Sequence, residues 1–243
     1  MVEMVEKTSL SIIIPVYNEA AILAENLGRL FSYLDHLPLL SAYEVVVVDD
    51  GSTDRTAQIL DPLATSYQLL ATIHSSPSRH IGRAKRLGWE RARYDFVMNY
   101  AIDLPFGLEI IEHSLKEARI YPHSLIIGSK GHPQSEVKVP SHRRLQSRIF
   151  NGLLNSLYHL GVKDSQGTAL CPKEALDRAL PHLTADTDFV QAQLLIWGKR
   201  LGYQLREIPV SYRQPRKKSH FTPRFHAWPM FWELIREVFA TQR

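Results

Sequence analysis

The chain has 243 residues, 44% hydrophobic and 22% charged, which is enough apolar material for one sizeable core and an unexceptional charge content that argues against disorder. Its single cysteine, Cys171, excludes an intrachain disulfide and suits a reducing compartment. A net charge of +4 fits anionic partners, but no zinc-ligand spacing, RNA-binding aromatic pattern or helix-turn-helix pattern points to nucleic acid among them.

Residues 1–10 carry glutamates and lack the basic-then-apolar order of a secretory leader. No window reaches the ~18 uninterrupted apolar residues that a spanning helix needs, so any membrane contact is expected to be peripheral. Short β-branched runs predict strands at 10–15, 44–48, 68–74, 96–99 and 125–128, with helical patterns at 19–36, 53–63, 79–93 and 107–119 between them. The unbroken valines at 45–48 read as a strand buried on both faces. Strand–helix alternation of this kind predicts an α/β fold with a mostly parallel sheet, whose ligands bind beyond the carboxyl ends of the strands.

Further along, a helix is predicted over 142–160, with Leu145, Ile149, Leu153, Leu157 and Leu160 at helical spacing. A second covers 189–201, a strand follows at 204–210, and a basic, proline-containing loop runs over 213–223. The closing helix, 226–239, places Trp228, Phe231, Trp232, Ile235, Val238 and Phe239 on one stripe. With no repeat or low-complexity tract, the expected organisation is one domain over 1–243, in two halves, 1–125 and 126–225, followed by an amphipathic helix over 226–243.

Two acidic turns fall at adjacent strand ends. Pro15-Val16-Tyr17-Asn18-Glu19 ends the first strand and Asp49-Asp50-Gly51-Ser52-Thr53-Asp54 ends the second, so their carboxylates can converge on one ligand. Gly51 permits the tight turn, and Ser52 or Thr53 can cap the next helix. These two segments resemble the opening of family 2 glycosyltransferases. The same order continues through HIGRAKRLG at 80–88, residues 95–104, Gly128-Ser129-Lys130, residues 143–150, residues 164–170 and EIPVSYR at 207–213. The resemblance covers nearly the whole chain and is strongest to the dolichyl-phosphate glucosyl- and mannosyltransferase group.

That resemblance implies a GT-A fold and transfer of glucose or mannose, with inversion, from a UDP- or GDP-sugar to a polyprenyl or dolichyl phosphate at the cytosolic face of a membrane. It places Pro15, Tyr17, Asn18, Glu19, Asp50, Gly82, Arg83, Ile102 and Asp103 around the nucleotide sugar. Apart from Arg83, the cations of the 79–93 helix, Lys85 among them, read as a solvated face. The family's metal-binding Asp-x-Asp aligns with Ala101-Ile102-Asp103, so Asp103 alone is expected to hold Mg2+ or Mn2+ against the diphosphate. The lesser alternative is that Asp103 merely caps the helix that starts near Pro105.

Asp164-Ser165-Gln166-Gly167-Thr168 resembles the acceptor-side aspartate–glycine motif, which puts Asp164 beside Asp103 and Arg148 as a catalytic candidate. Arg144, Arg148, Arg213, Arg216 and Lys218 are the candidate phosphate contacts, since guanidinium groups bind phosphate bidentately. A lipid phosphate is already ionised and needs no general base, whereas a hydroxyl acceptor needs a carboxylate, for which Asp164, Asp186 and Asp188 are the candidates. Basic and aromatic residues over 213–224 and in the closing helix suit a membrane contact, while packing of the helix stripe onto the domain is the favoured reading, and both hold if the helix ends are shared. Two rival functions remain open from the residues: a degenerate transferase that binds nucleotide or lipid phosphate and regulates a partner, for which Ala101 speaks, and a transferase with a soluble hydroxyl acceptor.

Overall fold

A computed structural model describes residues 7–67, 70–74, 80–213 and 223–240, with side chains of the last stretch described from 229 to 238. Arg79, Arg216, Lys217, Lys218 and the side chain of Trp228 lie outside the described residues. The elements in chain order are β1 (Thr8–Val16), α1 (Leu23–Asp35), β2 (Leu40–Asp49), α2 (Thr56–Ser66), β3 (Leu70–His74), α3 (Ile81–Arg91), β4 (Phe96–Asn99), α4 (Glu109–Ile120) and β5 (Ser124–Ser129). There follow β6 (Glu136–Val137), α5 (Ser141–Tyr158), β7 (Thr168–Pro172), α6 (Lys173–Ala179), α7 (Phe189–Arg200), β8 (Gln204–Pro209), β9 (Ser211–Tyr212) and α8 (Pro223–Ala240).

Seven strands form one sheet in the order β3-β2-β1-β4-β7-β5-β8, and β6 pairs with β9 in a small parallel ribbon. Every neighbouring pair of the large sheet is parallel except those of β7, which runs antiparallel to both β4 and β5. The strands are apolar on both sides because both sides are covered. Ile12, Ile14, Val45 and Val47 face α1 and α4, packing with Leu23, Leu27, Leu30, Ile111 and Leu115. Ile13, Val46 and Val48 face the other way, onto Ala84 and Trp89 of α3 and, beyond them, Leu194 and Leu195 of α7.

Two helices start later than the sequence predicts, and the reason is the same loop. Asn18 sits at φ +57°, which its short polar side chain tolerates, and its Oδ1 accepts bonds from the backbone N–H of Thr53 at 2.7 Å and Asp54 at 3.2 Å. These bonds commit residues on both sides to a turn, so α1 waits until Leu23 and α2 until Thr56. Asp54, rather than Ser52 or Thr53, steadies the start of α2, by accepting from Thr56 N at 2.9 Å.

α3 lies unusually close to its neighbours. A Cβ on Gly88 would stand 2.2 Å from Cγ2 of Ile13, and one on Gly82 would stand 2.4 Å from the carbonyl oxygen of Thr187. Only a bare backbone fits at either place. The 184–188 segment is held from the other side by α8, where the Glu233 carboxylate accepts from Asp186 N at 2.9 Å and Thr187 N at 3.2 Å. Leu234 of α8 is buried while Trp232 stays half-exposed, so the closing helix packs on the domain with one aromatic left outside. No described helix is long and apolar enough to cross a membrane.

Candidate active site

The carboxyl ends of β1, β2 and β4 lie side by side, and the turns that leave them are bonded to one another. Asn18 N donates to Ser52 Oγ at 2.9 Å, Glu19 N to Thr56 Oγ1 at 2.9 Å and Ala20 N to Asp54 Oδ2 at 3.2 Å. Gly51 takes a φ of +73°, and Asp50 N returns a bond to Val16 O at 2.9 Å. Asn18 thus acts as the clasp between the two acidic turns, with its side-chain oxygen committed to the loop. Asp50 is buried and Tyr17 half-buried beside it.

Beyond β4 the chain turns sharply. Tyr100 N donates to Ile13 O at 2.9 Å, Leu104 N to Ala101 O at 3.0 Å, and Asn26 Nδ2 of α1 to Ile102 O at 2.9 Å. This turn delivers Asp103 to a cleft of about 210 Å³, whose wall also includes Pro15, Glu19, Ala101 and Ile102. Burial pushes the Asp103 carboxyl above the usual carboxylate range. Glu19 is pushed up to about 7, first by burial and then by the charges of Asp103 and Asp54. Two neighbouring carboxylates that resist ionisation make a place that gains from a cation. A wider, open depression of about 760 Å³ lies between α1 and α4, but none of the candidate residues lines it.

The far wall comes from α3 and α7. Lys85 is only 7% exposed, and its ammonium reaches Asp188 Oδ1 at 2.5 Å and Gln191 Oε1 at 3.0 Å, all three residues lining the cleft. Arg83, the cation of α3 expected at the nucleotide, is exposed, and neither it nor Gly82 belongs to the cleft wall. The helical spacing explains the exchange. Lys85 lies three residues from both Gly82 and Gly88, on the face pressed against the sheet, whereas Arg83 lies off that face. Arg86 pairs with Asp186 at 2.9 Å, which leaves Lys85 as the cation that enters.

On the side that the resemblance assigns to the acceptor, Asp164 is 1% exposed and both its oxygens are in use. Oδ2 accepts from Lys130 N at 2.9 Å and Lys130 Nζ at 2.8 Å, and Oδ1 from Gln166 N at 3.1 Å. Glu207 caps the same turn through Lys163 N at 2.8 Å and Asp164 N at 3.1 Å, so the Glu of the EIPV segment is a loop anchor. Asn151 of α5 accepts from Ser165 N at 2.8 Å, tying that helix to the turn. Arg144 and Arg148 are exposed on α5 and Arg213 is exposed just after β9; none of the three lines the cleft. Arg216 and Lys218 fall outside the described residues.

The expected helix over 142–160 forms as α5, but its apolar ladder from Leu145 to Leu157 faces outward, while Leu160, beyond the helix end, is buried. Leu145 is 58% and Ile149 57% exposed, with Leu157 and Leu153 following on the same side. The opposite face, with Leu154 and Asn151, is the buried one, and Phe150 packs edge-on against Phe189 at 6.4 Å.

Residues 11–180 match the family described as glycosyl transferase family 2. The chain belongs to that family. It is 26% identical over 203 residues to the glycosyltransferase AglD of Haloferax volcanii, a match covering 83% of this chain and 32% of that protein. It is 26% identical over 228 residues to the dolichyl-phosphate beta-glucosyltransferase of Saccharomyces cerevisiae, covering 86% of this chain and 68% of the yeast protein. Among solved structures, glucosyl-3-phosphoglycerate synthase from Mycobacterium tuberculosis, in complex with Mn2+, UDP-glucose and phosphoglyceric acid, superimposes with a TM-score of 0.72 at 19% identity. That match covers 95% of this chain and 80% of the other. The mannosyltransferase PcManGT of Pyrobaculum calidifontis, in complex with GDP-mannose and Mn2+, gives 0.61 at 20% identity over 95% of this chain and 65% of that one. The fold is the GT-A fold implied by the sequence.

Proposed function

We propose that this chain transfers a hexose, with inversion, from a nucleoside diphosphate sugar to the phosphate of a polyprenyl-type lipid. The nucleotide sugar lies at the carboxyl ends of β1, β2 and β4, with its diphosphate toward Asp103. An acceptor oxygen attacks the anomeric carbon as the bond to the leaving diphosphate breaks, and the nucleoside diphosphate departs. The chain's contribution is alignment of the two substrates and compensation of the charge that grows on the leaving group.

One observation carries the choice of acceptor. The three carboxylates named from the sequence as candidate bases are already paired: Asp164 with Lys130 at 2.8 Å, Asp186 with Arg86 at 2.9 Å and Asp188 with Lys85 at 2.5 Å. Taking up a proton would cost each of them its ion pair. A phosphate arrives with its nucleophile ionised and asks for no base, its second pKa being about 6. The outward apolar ladder of α5 supports a lipid carrier. Its helix holds His142, Arg143, Arg144 and Arg148 in the first half and no carboxylate anywhere, a pattern suited to an anionic headgroup region. The matched dolichyl-phosphate glucosyltransferase of yeast points to the same acceptor class.

The donor set fits a divalent ion that enters with the diphosphate. Asp103, with Glu19 opposite, offers the one or two carboxylates that a hard cation takes when phosphate oxygens and water complete its shell. Ala101 removes one carboxylate from that wall, so Asp103 is the residue that would hold the ion. Such an ion supplies electrostatic stabilisation of the leaving diphosphate.

The test is transfer of label from UDP-glucose and from GDP-mannose to a short-chain polyprenyl phosphate in mixed micelles, beside the matching free polyprenol. One donor is expected to give a lipid-extractable product with the phosphate and none with the alcohol. Product from the alcohol, or from a soluble hydroxyl compound without lipid, would overturn the assignment of the acceptor.

A further inference from the structure

Lysine is seldom buried, and when it is, the ammonium must be paired. Lys85 satisfies that rule with two partners, Asp188 and Gln191, yet an ammonium carries three N–H donors. The third has no partner among the described residues. The side chain is also fixed in place rather than flexible. Its helix is clamped by Gly82 against the 185–187 backbone and by Gly88 against Ile13, and Gly82 N donates to Asp186 O at 2.8 Å.

The setting of this donor is lopsided in charge. Glu19, Asp103 and Asp188 are the carboxylates lining the cleft, and Lys85 is the one cation among its described lining residues. Ala101, in the same wall, presents a methyl group where the resemblance leads one to expect a further acid near the leaving group. A multiply charged diphosphate entering here meets a single fixed positive charge supplied by the protein.

We propose that Lys85 is a diphosphate-binding residue: its ammonium, held by Asp188 and Gln191, gives its remaining N–H to the diphosphate of the donor. The inference rests on the donor site proposed above and adds a residue that the sequence reads as solvated surface. Asp188 and Gln191 are then positioning residues, acting through the lysine. In this arrangement the lysine takes over part of the charge compensation that the missing carboxylate would otherwise assign to a bound ion. Being a charge on the β-phosphate side, it matters for a nucleoside diphosphate and hardly at all for the monophosphate.

That distinction sets the experiment. Titration calorimetry with UDP, GDP, UMP and GMP, each with Mn2+ and each with chelator, is run on the wild type, Lys85→Gln, Lys85→Arg and Asp188→Asn, with thermal melts to report folding. Lys85→Gln should weaken the preferred diphosphate by about tenfold to a hundredfold, the weight of one charge-assisted hydrogen bond, while leaving the matching monophosphate within about twofold. Lys85→Arg should keep most of the preference for diphosphate, and Asp188→Asn, which loosens the hold on the ammonium, should lower the preference by less than Lys85→Gln does. Equal loss of diphosphate and monophosphate binding in Lys85→Gln would reduce the pair to a structural bridge between α3 and α7.

Should Lys85→Gln fail to fold, lysine-labelled wild-type protein reads the same contact by NMR. The Lys85 ammonium signal, assigned through Lys85→Arg, should move with the diphosphate and not with the monophosphate, and a signal that moves with neither overturns the inference. If no nucleotide binds the wild type at all, the donor site itself is wrong, and that outcome is distinct from a wild type that binds while Lys85 plays no part.

Discussion

Glu19 shows how a single side chain in this cleft reports on its neighbours. Burial, Asp103 and Asp54 push its carboxyl up to about 7 from an ordinary 4.5. Between those two values the folded protein holds a proton that the unfolded chain has released, so this group's contribution to stability falls as pH rises through that window. Below it both states are protonated and the penalty vanishes. Glu19→Gln should therefore match the wild type in thermal stability below about pH 4.5, exceed it progressively up to about pH 7, and keep a constant margin above that. A difference that stays the same across that range would contradict the account. Addition of Mn2+ with the preferred nucleoside diphosphate should shrink the difference at pH 8, because a cation relieves the repulsion that the substitution removes. The sequence makes Glu19 a candidate from its place in PVYNE, but its environment depends on how close Asp103 comes, which no local pattern encodes. Lys85 is the opposite case. Its position three residues from two glycines was enough to place it on the buried face, and the density of basic residues around it concealed that signal.

Among the elements, α5 carries the most informative difference between sequence and structure. The i, i+4 spacing of Leu145, Ile149, Leu153 and Leu157 identifies a helix, and an amphipathic stripe looks the same on paper whether a core or a bilayer covers it. Only the packing of Leu154, Phe150 and Asn151 on the opposite face decides that the ladder points outward. The closing helix, read from the sequence as packing onto the domain or sharing a membrane contact, buries Leu234 and holds the 186–187 backbone through Glu233. Replacing Leu145 and Ile149 together by Ser should lower affinity for anionic phospholipid vesicles by about tenfold or more, as roughly 25 cal/mol is lost per Å2 of apolar contact. Because both side chains are exposed, folding stability should shift by no more than about 0.5 kcal/mol per site. Unchanged vesicle binding would move the membrane contact away from α5. β7 escaped the sequence reading for a different reason. Five residues ending in proline give too little periodicity, and their antiparallel place between β4 and β5 is set wholly by long-range pairing.

At the scale of the whole molecule, one sheet divides the work. Its β3-β2-β1-β4 side follows the plain parallel alternation legible in the sequence, since each buried strand is an unbroken apolar run. The acidic turns at the ends of β1, β2 and β4 meet there because parallel strands put all their carboxyl ends on one edge. The β7-β5-β8 side, with its reversed strand, brings the Asp164 turn and α7 across to close the same cleft. The two walls of the cleft thus come from opposite sides of the sheet, and the function proposed above makes that cleft a nucleotide-sugar site built on Asp103. The direct measurement is calorimetric titration of UDP-glucose and GDP-mannose, each with Mn2+, into the wild type and Asp103→Asn. The account predicts that one donor binds the wild type and that Asp103→Asn loses the part of that affinity that depends on Mn2+. Failure of both donors to bind the wild type, or binding that is indifferent to Asp103, would contradict it.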